Sequence, residues 1–199
     1  MSLGSQAASV DTRERILVAT WKLMEKSKDL NVRIADIAAA AKVSRQAVYL
    51  HFGNRANLLL EAVKHRDQMT VAGGIARAAR EAPVPGALKA FVEAWFEHVP
   101  RIQPVAQLLS AASQTDPGAR VAWDDRMGLL RGLTLVLAGR LSKAGLLKRG
   151  WTVEQAGDWI WHRTHLHGWL HLVGERGWDA ADYGKRVSAS LERDLLKEE

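Results

Sequence analysis

Apolar residues recur along this chain at three- and four-residue spacing, and alternating runs or Asn-Gly and Asp-Gly hairpin signals are almost absent. That periodicity puts apolar side chains on one face of a helix and is incompatible with a half-buried strand. The chain is therefore expected to be all-α, with about nine helices. A first helix is expected from about Asp11 or Thr12 to Ser27, burying Ile16, Ala19 and Leu23 and one of Trp21 or Met24. Two short helices should follow, about Ile34–Ala41 and Arg45–His51. A longer one should run from near Asn54 toward Arg80, bending at Gly73-Gly74. The segment EAPVPGA is a break. Further helices are expected at about Ala87–Val99, Pro104–Ala112, Ala119–Ala144, Val153–Arg176 and Ala180–Leu196, with Gly145 as a C-terminal cap and Thr152 as an N-cap.

Composition excludes several classes. With 199 residues and 47% hydrophobic side chains there is material for one or two domains with a core. No cysteine is present, which removes disulfides and thiolate metal sites. No apolar run is long enough for a bilayer, and the opening MSLGSQAAS lacks the basic start and apolar middle of a secretory signal. It reads as a flexible lead, and the cytoplasm is the expected compartment. No GxSxG elbow, phosphate loop, HExxH helix or nucleotide fingerprint occurs. Glu97 and His98 are adjacent, so a helix points them about 100° apart, a poor acid–base pair. An enzyme is not expected, and no cofactor is implied.

The charge is unevenly placed. Residues 1–66 hold eleven Lys/Arg against six Asp/Glu, while residues 67–199 hold seventeen against sixteen. A polyanion would be drawn to the front third. There the stretch IADIAAAAKVSRQAVYLHFGNR supplies a reason. On the first short helix Ile34, Ile37, Ala38 and Ala41 share one side, and the alanines let a second helix approach closely. Val43 would fill the gap between the helices and Ser44 would cap the second one. In that second helix Val48 and Phe52 point inward, and Ala47 is small enough for close packing. Arg45, Gln46, Tyr49 and His51 face out or partly out.

This is the pattern of a helix-turn-helix, whose second helix enters the DNA major groove. Arg45 suits guanine O6/N7 and Gln46 suits adenine N6/N7. Tyr49, His51 and Arg55 suit phosphate oxygens, aided by the free N–H groups opening the next helix. A helical hairpin with a solvated polar face, acting as a protein-binding adaptor, is the alternative.

From Arg15 to about Val63 the chain resembles the DNA-binding module of TetR/AcrR-type transcriptional regulators. The likeness is carried by RILVATWKLM, DIAAAAKVS and AVYLHFGNRANLL, with Asp36-Ile37-Ala38, Val43-Ser44, Tyr49, His51-Phe52 and Leu58 at the family's spacings. It implies DNA contacts from Ser44, Arg45, Gln46, Ala47, Tyr49 and His51, with Arg33 and Arg55 on the backbone. Lys28 and Lys42 stand where the family usually has glycine. A left-handed Lys42 would cost about 1–2 kcal/mol, and its ammonium would be free to meet phosphate. Arg55 replaces the commoner lysine and Ala56 an acid.

Beyond residue 65 the likeness weakens, although AQLLSAASQTDPGARVAWDDRM and LVGERGWDAADYGKRVSASLERDLL are similar to a common actinobacterial-style regulatory domain. The organisation implied is a lead over 1–10, a DNA-binding domain over 11–65, and a helical ligand-binding and dimerisation domain over 66–199. The resemblance implies a homodimer that meets a palindromic or pseudo-palindromic operator in double-stranded DNA. It also implies a small-molecule effector that releases the protein, which would make it a repressor. No membrane partner is implied.

The segment WIWHRTHLHGWLHLVGER has the oddest composition. Drawn as one continuous helix, Trp159, His162, Leu166, Trp169, Leu170 and Val173 share a face, and Trp161, His165, Gly168 and Leu172 form a strip beside it. That second strip is the expected dimer interface, with Gly168 allowing close approach. The histidine pairs His162/His165 and His167/His171 point nearly opposite ways, so one ion could not gather all four. Packing histidines are the simpler account, and a site shared across a dimer stays open. Met69, Trp95, His98, Trp123, Met127 and His165 are candidate pocket residues, and eight Trp among thirteen aromatics point to a broad apolar or aromatic ligand.

Overall fold

A computed structural model describes residues 3–27, 32–69 and 72–198 of the chain. Among them the secondary structure is helical apart from one isolated antiparallel bridge, Leu147 to Leu196. The helices are α1 (Leu3–Ser27), α2 (Ile34–Ala41), α3 (Arg45–Phe52), α4 (Arg55–Met69) and α5 (Ala72–Glu81). They continue as α6 (Ala87–Ala112), α7 (Pro117–Lys143), α8 (Val153–Arg163), α9 (Leu166–Trp169) and α10 (Ala180–Leu195), with a π-helical stretch over Leu170–Glu175. No described helix is long and apolar enough to cross a membrane.

Two compact units divide the chain. One comprises Met1–Met69 with Ile102–Asp125, and the other Thr70–Arg101 with Arg126–Glu199. The front unit thus takes in a segment well beyond the expected 11–65. Three helices of such a module bury little surface by themselves, and here Val105, Leu109, Ala119 and Ala122 complete the core built by Ile16, Leu17, Met24, Ile37, Val48, Phe52, Leu58 and Leu59. Charged links follow the same packing. Arg13 donates to Glu61 at 2.7 Å, its guanidinium lies 5.2 Å from the centre of the Phe52 ring, and Lys64 meets Asp125 at 3.3 Å. Asp116 pairs with Arg55 and accepts from the Gly118 and Ala119 amides that open α7. Burial alone would raise the Asp116 pKa, but the Ala119 amide, Arg55 and the Gly118 amide outweigh it and hold the carboxyl below its usual range.

Three helix boundaries differ from expectation. First, α1 begins at Leu3, so the lead assigned to 1–10 is helical from that point. Asp11 does not cap; it lies inside the helix and pairs with Arg15 one turn on, at 3.2 Å. Second, α6 runs unbroken through Pro100 and Pro104. Each proline removes one helical hydrogen bond, yet the neighbouring Val99 and Val105 are fully buried, and that packing outweighs the loss. Third, the expected helix 153–176 is broken at Thr164 and His165. Thr164 is buried, with its hydroxyl turned back to the Ile160 carbonyl at 2.8 Å. Its own carbonyl accepts from Trp95 Nε1 at 2.7 Å. His165 is extended (φ −62°, ψ 141°) and caps α9, its Nδ1 accepting from the His167 amide at 3.4 Å. Gly73 and Gly74, read as a bend, lie in the first turn of α5.

The second unit is organised around this break. Phe96, Trp169 and Tyr183 form an aromatic cluster, with Phe96 stacked on Trp169 at 5.5 Å and edge-on to Tyr183 at 5.0 Å. Thr152 and Gln155 form a reciprocal cap on α8, as the sequence reading places it, and Gly145 takes its positive φ of 73° after α7. Arg131 holds Asp158 at 2.7 Å. Trp151 Nε1 and Trp159 Nε1 donate to the backbone carbonyl and side chain of Asp194, at 3.1 and 3.2 Å.

Two expected outcomes follow from this packing. A Cβ on Gly157 would stand 2.7 Å from Leu135 Cδ2 and 3.1 Å from its Cα, whereas one on Gly132 would meet nothing within 4 Å. Gly157→Ala is expected to cost about 1–3 kcal/mol through overpacking, while Gly132→Ala should gain about 0.5–1 kcal/mol of helix propensity. Thermal melts of the two variants check this, and equal shifts of one sign would refute the close approach of α8 to α7. The second outcome concerns His165, whose pKa falls to about 4 through burial first, then the charges of His167 and His162. The folded state holds it neutral, so its stabilising contribution is whole above the unfolded value of about 6.5 and is lost as pH falls from there toward 4. His165→Asn keeps an N-capping acceptor without a titration. Denaturant melts between pH 7 and pH 4 should therefore be flatter for the variant, and parallel curves would show that His165 does not titrate in this way.

Candidate nucleic-acid interface

The turn between α2 and α3 is set by backbone bonds. Lys42 is left-handed (φ 56°, ψ 46°), and its amide donates to Ala39 while that of Val43 donates to Ala38. That bond pair ends α2 and turns the chain. Lys42 therefore does adopt the conformation that glycine would take more cheaply. Ser44 then opens α3, its hydroxyl accepting from the Ala47 amide at 3.1 Å. Gly53, with φ 73°, closes the helix, and Asn54 caps α4 through a 2.8 Å bond from the Asn57 amide.

Burial then orients α3. Val48 and Phe52 are 1% and 5% exposed, pressed into the core shared with α1, α2 and α4. Arg45 and Gln46 are exposed, Tyr49 is 51% exposed, and Ala47 and His51 are half-buried. The ring of His51 lies tilted against Phe52, 6.2 Å between centres. One residue the sequence reading passed over is Leu50, which is 85% exposed. Its signal was legible: two residues from both Val48 and Phe52, it lies about 160° from each around the helix.

Arg33, Arg45, Tyr49 and Arg55 come together around one open concavity of about 580 Å³, floored by Val32, Ile34 and Ala35. Three guanidiniums and a phenol around an apolar floor make a surface suited to phosphate and sugar. Two of the cations already have carboxylate partners. Arg33 grips Asp36 through Nε at 2.9 Å and through a terminal nitrogen at 3.3 Å, and the hydrogen bond and charge of Asp36 raise its pKa. Arg55 pairs with Asp116. Lys42 and Ser44 are exposed beside this face, and the Ser44 oxygen is already engaged in its cap.

The candidate pocket residues are divided between the two units. Trp95, His98 and His165 belong to the second unit, where the rings of Trp95 and His98 are 6.2 Å apart and His98 is 2% exposed. Trp123 instead packs against the core of the front unit, because α7 contributes its first part to that unit. Met127 is half-buried on the later part of α7. The side chain of Met69 lies outside the described residues, as does Lys28. The expected dimer strip is changed by the break at Thr164 and His165, since its members no longer share one helix. Trp161 packs edge-on to His165 at 5.3 Å. The space left by Gly168 is taken within the subunit, for a Cβ there would meet Tyr183 Oη at 2.6 Å.

Comparison with known proteins agrees with this geometry. Residues 16–62 match the family model described as bacterial regulatory proteins, tetR family. No curated protein matches the chain by sequence. Among solved structures, NalD of Pseudomonas aeruginosa, the secondary repressor of the MexAB-OprM multidrug efflux pump, is 21% identical with a TM-score of 0.68, over 96% of this chain and 98% of that one. SmeT in complex with triclosan is 19% identical with a TM-score of 0.74, over 94% and 92%. The regulator FadR of Bacillus subtilis, in complex with stearoyl-CoA, is 15% identical with a TM-score of 0.73, over 91% and 98%. At these identities the structures establish a shared fold. Residues 16–62 thus match the tetR family of bacterial regulatory proteins by sequence, and the chain over nearly its whole length shares the fold of these solved structures.

Proposed function

We propose that this protein is a homodimeric transcriptional repressor of the cytoplasm, released from a palindromic operator by a small apolar or aromatic effector. The observation that carries the reading is the orientation of α3. Its apolar underside is sealed, and Arg45, Gln46 and Tyr49 project from the other side of a basic front unit. Arg45 and Gln46, at the N-terminal end of the helix, read base edges. Arg33, Lys42, Tyr49, His51 and Arg55 hold the backbone, while Ser44 and Ala47 keep the helix end close to the groove. In a dimer two such helices stand about 34–36 Å apart and meet half-sites one turn apart.

Residues 11–65 serve as the DNA-binding part and 66–199 as the ligand-binding and dimerisation part. NalD is a repressor, SmeT was solved with triclosan and FadR with stearoyl-CoA, which supports an apolar effector here. Trp95, His98, Met127 and His165, all of the second unit, are the residues to place beside it. Of the expected dimer strip, Trp161 and Leu172 remain the residues to place at a dimer contact, since His165 and Gly168 are packed within the subunit. An effector acts by binding one conformation better than another, and it favours a spacing that no longer suits the operator.

The test is duplex binding against salt. A DNA-binding protein loses affinity steeply on a log–log plot, with a slope set by the phosphates it neutralises. Arg45→Ala or Gln46→Ala should relax sequence preference, each costing about 1–3 kcal/mol on the preferred site. Arg55→Ala should weaken all duplexes alike and make the slope shallower by about one. Titrations of these variants on specific and random duplexes separate the roles. Salt-independent binding, or variants indistinguishable from the parent, would instead indicate a helical adaptor that binds only protein.

A further inference from the structure

Leu50 stands exposed on the side of α3 turned away from the core of the front unit. It is 85% exposed, more than any other large hydrophobic side chain among the described residues. On α3 it lies opposite both Val48 and Phe52, which anchor the helix. Gln46 is one turn before it, and Tyr49, also exposed, precedes it directly. Arg45 and Tyr49, with Arg33 and Arg55, line the basic concavity beside it. A single exposed leucine is ordinary on a protein surface. This one lies on a helix whose other exposed side chains, Arg45, Gln46 and Tyr49, are polar or aromatic hydrogen-bonding groups, and it has no hydrogen bond to offer a base.

We infer that Leu50 is a specificity-determining residue that reads thymine, by apolar contact with the C5-methyl group in the major groove. The inference rests on the DNA-binding reading above and adds a base contact to it. The major groove presents one apolar group, the thymine methyl, and side chains without donors or acceptors recognise it by contact. Cytosine presents an amino group and no methyl at the same edge, and its donor would be left facing hydrocarbon. The neighbouring Gln46, one turn earlier, can take an adenine in a bidentate pair. The two residues together read an A·T-containing step, with Gln46 supplying hydrogen bonds and Leu50 supplying shape.

The experiment begins with selection of an operator from a random duplex library by the full-length protein. Each thymine of the selected site is then replaced in turn by deoxyuridine, which removes only the methyl. Affinities are measured for the parent and for Leu50→Ala, a substitution on an exposed helical position that alanine favours. One thymine in each half-site should show a loss of about fourfold for the parent, the value of one methyl group taken from water. At that thymine Leu50→Ala should bind the thymine and deoxyuridine duplexes equally, and Gln46→Ala should retain the methyl dependence. If the parent is indifferent to every replacement, or if Leu50→Ala keeps the parent's methyl dependence, the assignment is overturned while the DNA-binding reading stands. If no sequence is enriched and no duplex is bound, both fall.

Discussion

An eight-residue helix has too few backbone bonds to hold itself in water, so α3 persists because Val48 and Phe52 are sealed beneath it and its ends are closed by Ser44 and Gly53. The Phe52 ring is held in turn by Arg13 of α1, which also bonds Glu61 of α4. Three helices are thereby tied through one aromatic ring. The consequence for the outer surface is geometric. With two inward positions fixed, every other side chain of α3 has a set direction, and the polar edge is turned outward with it.

The cations of the front unit are distributed by the same logic. Arg33 and Arg55 are each matched by a carboxylate on the protein itself, and such partly exposed pairs contribute little to stability. Their effect is positional. A guanidinium has five donors, and the grip of Asp36 on Nε and one terminal nitrogen of Arg33 fixes the plane of the group and leaves other donors outward. Asp116 is bound on both sides, by Arg55 and by the first amides of α7. The result links the start of α4 to the start of α7 through one carboxylate, in a unit whose core already joins the two segments.

What could be read from the sequence was what short-range chemistry decides. The bounds of α2, the Ser44 and Thr152 caps, the inward pair on α3 and the Gly145 stop all depend on residues within one turn of each other. Lys42 shows the same, since a left-handed residue is demanded by the turn whatever occupies it. The failures share the opposite cause. At the break the carbonyl of Thr164 accepts from Trp95, an indole on α6 far away in sequence. The continuity of α6 through two prolines depends on the burial of Val99 and Val105. No local signal reports either. The extension of α1 to Leu3 is a different error, because Asp11 is a good cap in isolation and an equally good partner for Arg15 once the helix continues. Trp123 packs against the core of the front unit while Trp95 belongs to the second, and composition carries no information on which core a side chain joins.

The break also changes what the histidine-rich segment is. On one continuous helix His162 and His165 would be neighbours on a face, as would His167 and His171. With the chain extended at His165, its ring turns to His167 at 4.6 Å and to Trp161 at 5.3 Å. His162 remains on α8 against Trp159 at 5.6 Å. Among the described residues no group of three or more His, Cys, Asp or Glu side chains is disposed to hold a metal ion. The imidazole of His165 instead serves as a neutral acceptor for a backbone amide, and the burial that lowers its pKa favours that neutral form. Burial, the extended backbone and the loss of charge are thus one arrangement at one residue, next to the carbonyl that accepts from the Trp95 indole.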